Sequence, residues 1–239
     1  LGKFAEADTL YREALRLTRA RHGKSAIEVA ERLGSLGSFL SYTGHAAEAQ
    51  PILEEALAIV RRTFGTTHPR VVTSLINLSD AQVNRPDYAG AEKTLREALP
   101  IARAVYGQAH PAIADVTSRL GSVLQEQRKL EEAEPYLRES LAMRLKLLGD
   151  QHPDVQLSRV GLARMLQAEN RYAEADTLYG AALLARRAVL GDSSPAVAAS
   201  LTDLGMLEVD RPHWAAAEAP LREAIPSWHA GQVEDQEGD

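Results

Sequence analysis

The stretch GTTHPRVVTSLINLSDAQVNRPDYAGAEKTLREALPIARAVYG, running from Gly65 to Gly107, carries the plan of the whole chain. Pro69 suits the first position of a helix, where no backbone N–H is needed. A helix is expected from there to about Asn84. Asn84-Arg85-Pro86-Asp87 ends it, because proline disfavours helical backbone in the residue before it. Tyr88, Ala91, Leu95, Ala98, Leu99, Ala102 and Tyr106 then form an apolar stripe at helical spacing. Gly107 stops this second helix, since glycine accepts the left-handed backbone common just past a helix end.

Moving outward, the same unit recurs. Gly23, Gly65, Gly107, Gly149 and Gly191 are spaced by 42 residues. Leu36, Leu78, Leu120, Leu162 and Leu204 keep that step, as do Ala49, Ala91, Ala133, Ala175 and Ala217. Several registers in phase over the whole chain mark a structural repeat. One helix pair cannot bury its apolar faces alone, and stacked neighbours supply the core. The reading is an all-α fold, a solenoid of antiparallel helix pairs, each with a first helix A and a second helix B. Residues 1–24 are a lone B helix of a truncated repeat. Five pairs follow at 25–64, 65–106, 107–148, 149–190 and 191–229, giving eleven helices. Residues 230–239 are acidic and aperiodic, and are expected to be disordered. The chain starts at Leu1 partway through a repeat and reads as a piece of a longer protein. Its first helix, lacking an A partner, is expected to expose Phe4, Ala7, Tyr11 and Leu15.

Gly37, Ser79, Gly121, Ala163 and Gly205 share one register inside helix A. Glycine in an exposed helix interior costs about 1 kcal/mol relative to alanine, so a packing reason is expected. The expected reason is helix B of the same unit, with the Ala49 register as the opposing side.

Aromatic residues make up only 5% of the chain, so the core must be aliphatic. The net charge of −6 argues against a nucleic-acid binder, which needs a basic surface to displace counterions. The absence of cysteine excludes disulfides and thiolate chemistry. No apolar run approaches the roughly 18 residues of a membrane span, so no membrane contact is expected. With no targeting segment, a cytoplasmic location is expected.

His68, His110 and His152 share a register, but each sits on a different repeat. Neighbouring helix layers lie about 8–10 Å apart, too far for one metal ion to bridge all three. They read as helix-start residues beside proline, replaced by Ser194-Pro195 in the fifth pair. No nucleophile elbow and no phosphate loop occur. No catalytic residue, metal or cofactor is expected, and the chain is read as a non-enzyme. Arg61-Arg62 and Arg186-Arg187 read as solvated faces. Pro51, Pro135 and Pro220 fall inside B helices and read as shape features. Gln82, Arg159 and Glu208 occupy core-like registers of helix A. Their stems are expected to cover apolar surface while the heads reach water.

The small-residue pattern, seen in Leu78-Ser79, Ala91, Leu95 and Ala98, resembles the tetratricopeptide repeat. The 42-residue step, the pairs His68-Pro69, His110-Pro111 and His152-Pro153, and the pairs Ala91-Glu92 and Ala133-Glu134 resemble its kinesin-light-chain type. The resemblance implies a right-handed α-solenoid, the tetratricopeptide superhelix, with A helices lining a concave face. It also implies a protein-interaction module. Projecting its pattern places Glu31, Ser35, Ser38 and Tyr42 in the groove, then Thr73, Asn77, Asp80 and Asn84. Asp115, Arg119, Ser122 and Glu126 follow, then Leu157, Arg164 and Gln167, and then Asp203 and Asp210. Asn77 matches the asparagine that such repeats turn towards a peptide backbone. Ser35, Arg119, Gly161 and Asp203 hold the matching positions elsewhere, so a full asparagine ladder is not expected.

The function expected is a scaffold that binds a peptide or partner domain in this groove. The acidic bias of the groove residues points to a partner with a basic segment. The alternative is a regulatory or sensor arm of a signalling enzyme, a kinase, protease or NTPase, whose catalytic domain lies outside this chain. Self-association through exposed solenoid ends is a further expectation.

Overall fold

The computed structural model describes residues 2–211. Among them are ten α-helices and no strand. The B helices are α1 (Gly2–His22), α3 (Ala46–Phe64), α5 (Tyr88–Tyr106), α7 (Leu130–Leu148) and α9 (Tyr172–Leu190). The A helices are α2 (Ile27–Tyr42), α4 (Pro69–Asn84), α6 (Pro111–Glu126), α8 (Pro153–Ala168) and α10 (Pro195–Asp210). The expected eleventh helix, Pro220 and the acidic 230–239 segment lie outside the described residues.

Local chemistry explains the helix ends. His68 Nδ1 accepts the backbone N–H of Arg70 at 3.2 Å, His110 Nδ1 that of Ala112 at 3.1 Å, and His152 Nδ1 that of Asp154 at 3.2 Å. Ser194 Oγ does the same for Ala196 at 3.3 Å. Each satisfies an N–H that a helix start leaves without a partner. The histidines are therefore caps, as their place beside proline indicates. The His68 and His110 rings also stack on Phe64 and Tyr106, with centroids 4.3 and 4.0 Å apart. At the other end, Gly65 and Gly107 take φ of 79° and 84°, where a side chain would be strained.

The chain divides into two compact units, Leu1–Lys129 and Leu130–Asp239. In the first, each helix packs on the next in sequence, and α2 also meets α4 as α4 meets α6. The A helices therefore form the inner layer. Its core is aliphatic, with Leu33, Leu36, Leu53, Leu75, Leu95 and Leu120 fully buried. In the second unit, Leu137, Val155, Leu162, Met165, Leu166, Tyr179 and Leu207 form the main cluster.

Several expectations are refined or corrected. A Cβ on Gly37 would meet the Leu53 side chain of α3, so helix B of the same unit does supply the packing reason, with Leu53 as a neighbour beyond the expected Ala49, which is itself fully buried. On α1, Leu15 is buried, and Tyr11 tilts against Phe39 at 5.0 Å. The next A helix covers Leu15, whereas Phe4 and Tyr11 stay exposed as expected, together with Leu10 and Leu17. Gln82 and Arg159 do not reach water. Gln82 is buried and accepts from Thr94 Oγ1 at 2.8 Å. Arg159 is buried, donates to Gln156 at 2.9 Å and pairs with Asp150. Burial without partners would cost several kcal/mol, so neighbours replace the lost water. Glu208 is half-buried and pairs with Arg211 at 2.7 Å. Pro51 and Pro135 lie within α3 and α7, and Pro100 is a further interior proline in α5.

Candidate functional site: the inner face of the first unit

Helical spacing brings the projected A-helix residues of the first unit to one face. A cleft of about 650 Å³ has Glu31, Ser35, Ser38, Tyr42, Thr73 and Asn77 among its walls. A second, of about 230 Å³ between α2 and α4, is lined by Ser38, Ser41, Tyr42, Asn77, Asp80, Val83 and Asn84. A third, of about 360 Å³ between α4 and α6, includes Asp80, Arg119, Ser122 and Glu126. Shared walls at Ser38, Tyr42, Asn77 and Asp80 join the three into one groove. Asp115 is half-buried on α6 and lines none of these clefts. Arg164 and Gln167 line a separate cleft of about 330 Å³ in the second unit, with Asp203, Met206 and Asp210.

The charges of the inner faces are paired across repeats. Arg70 donates to Glu31 at 2.8 Å, Arg119 pairs with Asp80, and Arg164 donates to Asp203 at 2.9 Å. Each pair is 39 residues apart in sequence. Arg70 was not among the projected residues, yet it walls the first cleft and lies over the Phe64 ring at 5.2 Å. Burial pushes the Asp80 carboxyl above its ordinary range, and Arg119 only partly opposes this. The hydrogen bond to Asp203 raises Arg164. Asn84 donates to Ser41 Oγ at 2.9 Å, which fixes the amide at the α2–α4 seam.

The outer faces carry a second pairing. Arg12 meets Glu48 at 2.7 Å, Arg19 meets Glu55 at 2.8 Å, Arg61 meets Glu97, and Arg138 meets Glu174 at 3.0 Å. Here the offset is 36 residues. Arg61 is therefore not simply a solvated cation. Nor is Arg186, which is half-buried and donates to Ser200 Oγ at 2.6 Å. Searching the sequence for arginine followed by glutamate 36 residues later would have found this ladder. Turns form a further latch: Glu92 accepts from Lys129 at 2.7 Å and from Gln127 at 2.9 Å, and Glu134 accepts from Arg171 at 2.8 Å. Lys129 first, then Arg96 and Gln127, hold Glu92 down at about 2.

No cluster of three or more metal-ligating side chains occurs among the described residues. None of their helices is long and apolar enough to cross a membrane.

These features define a class, an all-α helical-repeat solenoid. The chain belongs to the tetratricopeptide repeat family: the family's sequence profile matches residues 28–104, 85–146, 112–183 and 154–228. Repeats of this family are protein–protein interaction scaffolds, and this chain is one. Among solved structures, it is similar to kinesin light chain TPR-like repeats of Podosopora anserina, at 23% identity and TM-score 0.75, covering 84% of this chain and 96% of that one. It is similar to BtubC (BKLC) from P. vanneervenii, at 21% identity and TM-score 0.78, covering 96% and 91%. It also resembles YrrB, described as a TPR protein with an unusual peptide-binding site, at 16% identity and TM-score 0.55, covering 92% and 98%. No curated protein matches the chain in sequence.

Proposed function

We propose that the inner groove of the first unit holds an extended peptide or a helix of a partner protein, and that this segment is basic. The observation that carries the reading is the continuity of the three clefts along α2, α4 and α6. That YrrB is described as having a peptide-binding site agrees with it. Asn77 contacts the ligand backbone, and Asp80 and Glu126 read its cations; Asp115, which lines none of the clefts, takes no part. Thr73 and Ser122 line the path. Glu31 and Asp80 already have arginine partners, but those side chains are 39–46% exposed. Pairs so exposed are worth at most about 1 kcal/mol, so a ligand cation can compete for them. Binding weakens as salt rises, because screening shortens exposed charges' reach to about 8 Å at physiological ionic strength. The test is affinity of the physiological partner for the Asp80→Ala/Glu126→Ala variant, with folding checked by circular dichroism. A loss of about tenfold or more is expected. Unchanged affinity would move the site off this face.

A second reading concerns self-association. Phe4, Leu10 and Leu17 are 55, 70 and 53% exposed on α1. Exposed apolar patches mark contacts. Light scattering at high concentration should show dimers that Leu10→Glu/Leu17→Glu abolishes. A monomer at all concentrations removes this reading.

A further inference from the structure

We infer that the small cleft between α2 and α4 is a subsite for one arginine side chain of the bound segment, held by Asp80, Tyr42 and Asn84. The inference rests on the groove reading above and adds to it a residue type and a position. Tyr42 ends α2 with its side chain on the inner face, 84% exposed. It is the one aromatic wall of a cleft that also holds the Asp80 carboxylate. Arginine's planar, weakly hydrated guanidinium stacks on aromatic faces and bonds carboxylates through several donors, so this pair of walls suits it.

Asp80 has capacity for a second cation. Its Oδ1 takes Arg119 from the α6 side, while the cleft opens on the α2 side. The carboxylate is desolvated more than Arg119 compensates. A second guanidinium supplies donors to the remaining oxygen. Asn84 spends its NH₂ on Ser41, which turns its carbonyl oxygen into an acceptor for the same ligand. Ser38 completes the polar rim, and Val83 lies against the aliphatic stem. The other repeats lack the combination: the register of Tyr42 holds Asn84, Glu126, Ala168 and Asp210. One arginine subsite sets the register of the ligand on the groove.

The test uses the full chain with two synthetic probes, acetyl-Gly-Ser-Arg-Ser-Gly-amide and the same peptide with citrulline for arginine. Citrulline keeps the shape and removes the charge. NMR titration should show shifts of Tyr42, Asp80 and Asn84 with the arginine peptide, and about tenfold weaker binding of the citrulline peptide. Asp80→Asn should weaken the arginine peptide to a similar degree, and Tyr42→Leu by a few-fold. Equal binding of the two peptides, shifts confined to other residues, or no effect of Asp80→Asn would each overturn the subsite. If shifts then still trace α2, α4 and α6, the groove survives without it. If they leave that face, the groove reading falls as well.

Discussion

A Cβ placed on Gly37 would lie 2.5 Å from Cγ of Leu53, so α2 and α3 meet there with no room for a methyl group. The contact opposes helix propensity, which favours alanine over glycine by about 1 kcal/mol. Overpacking a core position costs about 1–3 kcal/mol and wins. Gly37→Ala is therefore expected to lower the urea midpoint. Gly161 is also helical, but a Cβ there meets nothing within 4 Å. Gly161→Ala should stabilise by about 0.5–1 kcal/mol. Equal effects of the two substitutions would refute the packing account.

The histidine caps make a second prediction. His68→Ala removes the acceptor for the Arg70 N–H and should cost about 1 kcal/mol. His68→Ser should recover most of it, because Ser194 already caps α10 this way. Thermal melts and hydrogen exchange at the Arg70 amide report both effects. An alanine variant as stable as the parent would show that the cap is idle.

Glu92 links stability to acid. Its carboxyl is lowered from the usual 4.5 to about 2 by Lys129, Arg96 and Gln127. A group depressed on folding stabilises the native state above its unfolded value, and that contribution fades as pH falls towards the folded one. Glu92→Gln should therefore be less stable than the parent at pH 7. The gap should close between about pH 5 and pH 2. Urea unfolding at a series of pH values measures it, and a gap independent of pH would contradict the latch.

Arg186 occupies the register that holds Val60 and Ala102 in earlier repeats. Burial lowers its pKa, and it relies on Ser200 Oγ at 2.6 Å and the Ala196 carbonyl at 3.2 Å. Removing one partner of a half-buried charge costs more than removing the charge. Ser200→Ala should cost about 1–3 kcal/mol, and Arg186→Val close to nothing. The opposite order in denaturant melts would rule this out.

Much of the architecture was legible in sequence because it depends on neighbours along the chain. The 42-residue step, the breaks at Pro86 and Gly107 and the His-Pro starts are local signals, and α4 and α5 begin and end where those signals fall. The projected groove residues of the first unit, Asp115 excepted, also reach one lined surface, because helical periodicity alone puts residues on a common face. Which charge meets which was not legible. Arg70 meets Glu31 across 39 residues and Arg19 meets Glu55 across 36, and neither offset is the repeat length. Each follows from how far one repeat is shifted against the next, and side-chain packing sets that shift. The same packing set Leu53 against Gly37, buried Gln82 and Arg159 with partners, and closed Leu15 beneath the next A helix. Sequence by itself determined the helices, their period and their apolar faces, since those are set by backbone chemistry a few residues long. Tertiary structure alone decided the ion pairs, the clefts and the buried polar contacts, since those depend on distances between segments tens of residues apart.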